Sequence, residues 1–260
     1  MLLEAVTGMT RVALITSPER PVSAPYVATF RAWCARRQTG EPIAYLLGQR
    51  EFYSLEFAVS PDVLIPRPET ELLVELALRG INGGARRVVD LGTGSGALAI
   101  AIAKNAPAAD VSAVDVSAQA IAVARANADR HGVSIRLLTS DWFAALGDER
   151  FDLIVANPPY VPCNDPHLGE GDLRFEPRDA LVGGADGLDS IRTIVERAPA
   201  HLSSGGWIAI EHGYDQGGRV AALLIASGFK EVTRHNDLAG IWRVTSATTA
   251  AGRSENQSGS

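Results

Sequence analysis

A short β-branched run, Val88-Val89-Asp90-Leu91, breaks into Gly92-Thr93-Gly94-Ser95-Gly96 and then opens onto Ala97-Leu98-Ala99-Ile100-Ala101-Ile102-Ala103. Strand, glycine turn and helix in that order constrain the fold more than any other stretch. Glycine takes positive φ freely and lets the backbone approach a ligand, and the free N–H groups of the helix start then face it. A second apolar run, Asp110-Val111-Ser112-Ala113-Val114-Asp115, ends in an acid. That acid lies about twenty residues beyond the loop, the separation expected for a carboxylate on ribose hydroxyls. Alone, the loop serves equally a nicotinamide dinucleotide or a tight strand-to-helix connection. Its pattern is Gly-x-Gly-x-Gly, however, and Asp90 puts a carboxylate near the ligand's polar end, where an ammonium fits better than a pyrophosphate.

From about Arg86 onward strands and helices alternate, the pattern of a parallel sheet with helices on both faces. Ser117 caps a helix running through Arg130, with Ile121, Ala124 and Ala128 on one face and Gly132 as its stop. Residues 134–138 and 151–156 read as the third and fourth strands. Leu188, Ile191, Val195, Ala198 and Leu202 recur at helical steps, and Pro199 should kink or shorten that helix. Residues 207–211 form a fifth strand, and Val220, Leu223 and Leu224 lie on a helix that Gly228 ends. Residues 230–234 and 241–245 face each other as a hairpin, so the last strand is antiparallel. Ahead of Arg86, Tyr26, Phe30 and Trp33 predict a helix from near Ser23 to Gly40 with its aromatics in a core. Residues 51–59 alternate as a short hairpin turning near Ser54. Beyond about Ser246 the Ser/Thr/Ala/Gly-rich tail has nothing to bury and is expected to be disordered.

Asn157-Pro158-Pro159-Tyr160 follows the fourth strand, at the carboxyl end where open α/β sheets bind substrates. Asn157 offers a side-chain carbonyl, and Pro158, having no N–H, leaves its own carbonyl free of local helical pairing. Two acceptors side by side can grip both hydrogens of a planar –NH2 group and turn the nitrogen lone pair toward an electrophile, with Tyr160 over the flat face. That chemistry is alkylation of an amide or amino nitrogen. For the tetrapeptide alone, a proline-rich turn with Asn as its turn residue is the alternative.

Composition narrows the field without choosing within it. A chain of 260 residues, 46% of them hydrophobic, suffices for one α/β domain and a small appendage. The net charge of −6 does not advertise phosphate-driven affinity for nucleic acid. Cys34 and Cys163 form no paired-cysteine motif and the five histidines lack metal-ligand spacing, so no metal is expected. No run of 18 apolar residues exists, and no basic patch precedes an apolar stretch at the amino terminus. The expected setting is the cytoplasm, with no membrane partner.

Together the two constellations resemble a class I S-adenosylmethionine-dependent methyltransferase, and more narrowly the peptide chain release factor glutamine N5-methyltransferase family. The resemblance runs from about Gly40 to Val244. It includes Gly40-Glu41-Pro42-Ile43-Ala44-Tyr45, Glu51-Phe52, Val63-Leu64-Ile65-Pro66-Arg67-Pro68-Glu69-Thr70-Glu71 and Ser140-Asp141-Trp142-Phe143. Further along come Leu173-Arg174-Phe175-Glu176-Pro177, Asp186-Gly187-Leu188-Asp189, Glu211-His212-Gly213 and Asp237-Leu238-Ala239-Gly240. The implied fold is α/β: a Rossmann-like, seven-stranded, mostly parallel sheet with an antiparallel last strand. The implied organisation is a helical substrate-docking domain at 1–47, a linking β-hairpin and loop at 48–68, an S-adenosylmethionine-binding domain at 69–246 and a disordered tail at 247–260. Because Met1-Leu2-Leu3-Glu4 reads as the inside of a helix, the helical domain is expected to be partial.

The same resemblance implies roles. Gly92, Thr93, Gly94, Ser95 and Gly96 wrap the methionine and ribose of S-adenosylmethionine, Asp115 binds the ribose hydroxyls, Asp141 and Trp142 flank the adenine, and Asn157 also contacts the cofactor. Asn157, Pro158 and Tyr160 carry the catalysis and, with Pro159, Arg67 and Glu69, bind the substrate. Two of these have structural alternatives: Trp142 as a core aromatic, and Glu69 as the start of a helix whose apolar face is Leu72, Leu73 and Leu76. Glu211 and His212 read as structural partners at a strand terminus in preference to a base. The implied substrate is the glutamine of the Gly-Gly-Gln motif in release factors, methylated on its side-chain nitrogen. Two alternatives stand beside it: an amino-methyltransferase acting on adenine or guanine in nucleic acid, which shares the tetrapeptide, and a non-catalytic cofactor-binding module. The Ile65–Glu71 and Arg174–Pro177 segments separate this chain from the nucleic-acid enzymes, and stable nucleic-acid binding is not expected.

Overall fold

The computed structural model describes residues 1–250. Four helices come first: α1 (Leu2–Thr7), α2 (Arg11–Thr16), α3 (Ala24–Gln38) and α4 (Ile43–Leu47). The hairpin of β1 (Gln49–Phe52) and β2 (Leu55–Ala58) follows, then a 3-10 turn at Pro68–Thr70 that leads into α5 (Glu71–Asn82). The remainder alternates: β3 (Arg87–Leu91), α6 (Ala97–Asn105), β4 (Asp110–Asp115), α7 (Ala118–His131), β5 (Arg136–Thr139) and β6 (Phe151–Ala156). It closes with α8 (Asp189–Arg197), β7 (Leu202–Glu211), α9 (Gly217–Ala226), β8 (Lys230–Asn236) and β9 (Trp242–Thr248).

The seven strands from β3 onward form one sheet in the order β5-β4-β3-β6-β7-β9-β8, with β9 antiparallel to both neighbours and the strands from β5 to β7 parallel. This is the α/β, mostly parallel sheet expected from the sequence. Side chains alternate between two cores, as the period of two demands. Val88, Leu153, Val155 and Ala209 face the cluster that includes α5 and α6. Val89, Leu91, Ile154, Ala156, Ile208 and Ile210 face the cluster that includes α8 and α9. With both faces covered, the strands read as continuous apolar runs. α6 is buried from Ala97 through Ala103, and small alanines let it lie close to the sheet, α5 and α7.

The direction of strand winding reverses between β3 and β6. Register places Leu91 beside Ala156 on one side and beside Val114 on the other, so the connections leaving β3, β4 and β6 emerge together at the carboxyl edge. Open α/β sheets bind ligands at such a switch point.

Local signals explain most element boundaries. Ser117 accepts from the Ala120 N–H and Gly132 closes α7 in the left-handed conformation. Pro199 ends α8 at Arg197 and turns the next residues into a 3-10 segment, so Leu202, expected on the helix, starts β7 instead. Two further expectations need correction. Tyr26, placed in a core by its spacing, is 46% exposed, and no residue of α3 is fully buried, because its neighbours α1 and α4 are only six and five residues long. The last strand does not stop before residue 247: Ala247 is buried and Thr248 pairs with both Trp207 and Lys230. Its Ser/Thr/Ala composition hides a strand that pairs with β7 and β8 and buries Ala247 in the core beside α8 and α9. The rest of the expected tail, from residue 251, lies outside the described residues.

The β1–β2 hairpin is fastened to the sheet by one buried amide. Asn127 of α7 accepts from the Ala58 N–H at 2.8 Å and donates to the carbonyls of Ala58 and Ser95 at 3.0 and 2.8 Å. One side chain thus satisfies three main-chain groups and joins the hairpin to the glycine loop. Asn127→Ala strands those groups, each worth about 1–3 kcal/mol when buried and unpaired. The expected outcome in a thermal melt is a loss of roughly 5–10 °C; an unchanged melting temperature contradicts the clamp.

Candidate active site

Gly92, Gly94 and Gly96 all have positive φ, of 76°, 55° and 82°. The loop is pinned to β4, since the N–H groups of Gly92 and Thr93 both donate to the Val114 carbonyl. Asp115 completes the attachment: its Oδ2 accepts from the Gly94 N–H at 2.8 Å and its Oδ1 from the Ser117 N–H at 2.9 Å. Burial raises its pKa while these N–H groups pull it back, and each oxygen keeps a further lone pair for a ligand hydroxyl. Gly96 serves packing, because a Cβ there would stand 2.9 Å from Ile100 and 3.0 Å from Ala124.

Asp90 lies at the floor, 1% exposed, accepting from the Thr93 hydroxyl at 2.6 Å. Burial pushes its pKa up to about 7, the Thr93 hydrogen bond opposes this, and the Asp115 charge adds to it. A buried carboxyl of this kind is easily returned to its ionised state by a cation in the cleft. Acidic floor, ribose-competent carboxylate and a loop with glycine at every second position together fit S-adenosylmethionine, which carries an ammonium and two ribose hydroxyls.

A cleft of about 270 Å³ runs along this edge, lined among others by Asp115, Asp141, Trp142, Asn157, Leu64 and Ala180. A smaller recess of about 60 Å³ is lined by Asp90, Thr93, Ser95, Arg67 and Thr70. Gly92, Gly94 and Asn157 border both cavities. Trp142 has a φ of 49°, and its carbonyl accepts from the Ser140 hydroxyl at 2.9 Å. A Cβ on Gly92 would come within 3.5 Å of the Trp142 ring, so the glycine keeps the space beside the indole open.

Asn157 donates from Nδ2 to Thr70 Oγ1 at 2.9 Å, which leaves Oδ1 as the arm available to a ligand. Pro158 is buried, and its carbonyl accepts no hydrogen bond among the described residues. Pro159 borders the larger cavity. The loop is held from behind by the 181–187 segment and by Gln216 at the start of α9: Val161 bridges Val182, and Gln216 Nε2 donates to the Tyr160 carbonyl at 2.9 Å. Gly187 is required there, since a Cβ would stand 2.2 Å from that carbonyl. Tyr160 turns its phenol toward Glu211 Oε1, at 3.3 Å, and lines neither cavity. The sequence had suggested that this ring covers the flat face of a bound amide; its buried partner draws it the other way.

Glu211 is fully buried at the end of β7. Burial pushes its pKa up to about 7; the Thr70 and Tyr160 hydroxyls and Arg243 oppose the rise, and Glu69 adds to it. His212 is structural, as its sequence position suggested: Nδ1 donates to the Gly213 carbonyl and Nε2 meets the Thr245 hydroxyl at 2.8 Å. Burial lowers its pKa, consistent with a neutral ring. Glu69 lines neither cavity and sits in the 3-10 turn, while its neighbour Thr70 makes the contact with Asn157.

Two segments wall the cleft. Arg67 pairs with Glu176, whose side chain is fully buried and whose Oε2 also accepts from the Ile65 N–H at 3.0 Å. Tyr45 of α4 donates to the Val63 carbonyl at 2.7 Å, so the N-terminal helices brace the same wall. Thr70 and Glu176 both lie in quoted sequence segments yet drew no role, because their partners are 87 and 109 residues away. Glu176→Ala leaves a half-buried arginine and a main-chain N–H unpaired. We expect a loss of about 2–4 kcal/mol in a denaturant titration, and a loss below about 1 kcal/mol would show the pair to be incidental.

Comparison with known proteins adds a second line. The family model described as the PrmC N-terminal domain matches residues 1–48, and the methyltransferase small domain matches residues 68–167. The release factor glutamine methyltransferase of Bordetella pertussis is 51% identical, over 94% of this chain and 92% of its own length. That of Burkholderia pseudomallei is 52% identical, over 94% and 89%. Among solved structures, a ribosomal protein L11 methylase from Lactobacillus delbrueckii subsp. bulgaricus superposes with a TM-score of 0.54 at 24% identity, covering 71% of this chain and 80% of that one. This last likeness speaks for the methyltransferase fold alone. With half of all residues identical along nearly its full length and a cleft built for the cofactor, the chain belongs to the release factor glutamine methyltransferase family.

Proposed function

We propose that this protein transfers the methyl group of S-adenosylmethionine to the side-chain nitrogen of the glutamine in the Gly-Gly-Gln motif of peptide chain release factors. The observation that carries the reading is the orientation of Asn157. Its NH2 is committed to Thr70, which leaves its carbonyl oxygen free where Asn157 borders both cavities; the Pro158 carbonyl next to it, which accepts no hydrogen bond among the described residues, is the second acceptor of this reading.

S-adenosylmethionine supplies a methyl group activated by a sulfonium and open to in-line displacement. The protein's own task is to present the nucleophile, because an amide nitrogen is poor while its lone pair is delocalised. Asn157 Oδ1 and the Pro158 carbonyl accept the two N–H bonds, and this grip strengthens as the nitrogen pyramidalises and those bonds become more acidic. Stabilisation that grows toward the transition state raises kcat. The nitrogen forms one bond to carbon and loses one proton, which leaves to water. Asp115 holds ribose hydroxyls, Asp90 faces the ammonium, and Asp141 and Trp142 border the adenine; the glycine loop and Arg67 shape the walls between. The helices before Gly48 dock the protein substrate, the hairpin and loop to residue 68 link them to the catalytic domain, and the work is done in the cytoplasm. The 166–180 region supports this arrangement, as Arg37 of α3 reaches Asp172 at 2.8 Å. No helix among the described residues is long and apolar enough to cross a membrane.

Asn157→Ala is expected to lower kcat by about 100-fold or more while S-adenosylmethionine affinity stays within a few-fold; equal losses in both contradict the assignment. Asp115→Ala should weaken S-adenosylmethionine binding by about ten-fold or more in calorimetry, one charge-assisted hydrogen bond being worth roughly 1.5–3 kcal/mol. The reaction itself is tested by offering labelled S-adenosylmethionine with a release factor, with an oligonucleotide, and alone. Label on the glutamine side chain is the expected result. Label on the oligonucleotide only overturns the reading in favour of a nucleic-acid amino-methyltransferase, and no label on either points to a binding module.

A further inference from the structure

Two consecutive aromatics after β5 take opposite courses. Phe143 is 1% exposed and stacks on His201 with ring centroids 4.4 Å apart, whereas Trp142 lines the larger cavity. The indole N–H makes no hydrogen bond among the described residues, so the place of the ring follows from the backbone that carries it. That backbone is unusual. Trp142 adopts a φ of 49°, a left-handed conformation that a bulky residue keeps only where its surroundings fix it.

What fixes it is Ser140, which is 6% exposed. Its hydroxyl donates to the Trp142 carbonyl at 2.9 Å, the one hydrogen bond that carbonyl accepts among the described residues, and accepts from the Ala145 N–H at 2.9 Å. Although Ser140 lines the larger cavity, its single hydroxyl hydrogen is spent inside the turn and none is left for a ligand. Its main-chain N–H donates to the Asp115 carbonyl at 2.8 Å, which ties the turn to the strand end that bears the proposed ribose carboxylate. The indole held in this way lies beside Gly92, where a methyl group would come within 3.5 Å of the ring. Resting on the reading that the adenine lies against Trp142, we infer that Ser140 is a positioning residue for the cofactor: its hydroxyl locks the left-handed turn that seats the indole at the adenine end of the cleft.

The effect of losing that hydroxyl is confined to one end of the ligand. Ser140→Ala removes both side-chain bonds and spares the main-chain bond to Asp115 and the pairing of β5 with β4. Trp142 then relaxes toward negative φ and carries the indole away from Gly92. Asp115 keeps its bond to the Gly94 N–H, and Asp90 keeps the Thr93 hydroxyl. The ribose and methionine portions are therefore gripped as before, and only the adenine loses a wall. A general loosening of the fold would weaken every part of the ligand alike.

Calorimetry on the full chain with two ligands separates these cases: S-adenosylhomocysteine carries the adenine and S-ribosylhomocysteine lacks it. Ser140→Ala is expected to bind S-adenosylhomocysteine about ten-fold more weakly, the worth of one or two hydrogen bonds. Its affinity for S-ribosylhomocysteine stays within about three-fold of the native protein's. In a Trp142→Ala background, where no indole remains to be placed, adding Ser140→Ala costs less than about three-fold. If Ser140→Ala fails to fold, Ser140→Cys, which fills nearly the same space with a weak donor and acceptor, replaces it under the same expectations. Native S-adenosylhomocysteine affinity in the Ser140 variant, beside a weakened Trp142→Ala, overturns this inference alone; an undiminished Trp142→Ala overturns the adenine reading beneath it. Equal losses for the two ligands, or a full ten-fold loss repeated in the Trp142→Ala background, also overturn the inference.

Discussion

Parallel pairing of β3 with β6 at the centre of the sheet is the contact on which the site depends. It sets Leu91 beside Ala156, so the glycine loop and the Asn157 loop leave neighbouring strands at the same level. Without it, the glycine loop and the Asn157 loop, more than sixty residues apart in sequence, would not share a wall. β4 on the other side of β3 then delivers Asp115 to the same edge. The switch in winding direction leaves space outside the carboxyl ends, and the chain uses it for its two connected cavities.

Around that edge the protein gathers carboxyls in dry surroundings. Asp90, Asp115 and Glu211 are all raised by burial. For a carboxyl raised in the folded state, stability is fully present below the ordinary carboxylate pKa and is lost as pH climbs through the raised value. For Asp90 and Glu211 that window ends near 7. A cation in the cleft reverses the sign for Asp90 by favouring its charge. Glu211 sits beyond that effect, behind Thr70 and Tyr160, where its state is left to its neighbours.

Much of this was legible in the sequence where the governing contacts are short-ranged. The run 151–156 became β6 residue for residue, Ser117 and Gly132 bounded α7, and Pro199 shortened α8. The hairpin turn near Ser54 was legible too, although Tyr53 and Ser54 both adopt positive φ without glycine, their N–H groups held by Glu71 and Glu51. What could not be read is decided by partners distant in the chain. Thr70 gains its importance from Asn157, Glu176 from Arg67, and the direction of Tyr160 from Glu211. The incomplete burial of the α3 aromatics is of the same kind: spacing reveals a face, and only the length of the neighbouring helices determines whether that face is covered.

The central claim is geometric: a glutamine amide is held by two oxygens, Asn157 Oδ1 and the Pro158 carbonyl. A crystal structure with S-adenosylhomocysteine and a release factor bound measures it directly. The account predicts the glutamine nitrogen at about 3 Å from both oxygens, with Asn157 Nδ2 still on Thr70. A glutamine amide facing Asn157 Nδ2, or seated outside the reach of both oxygens, contradicts it.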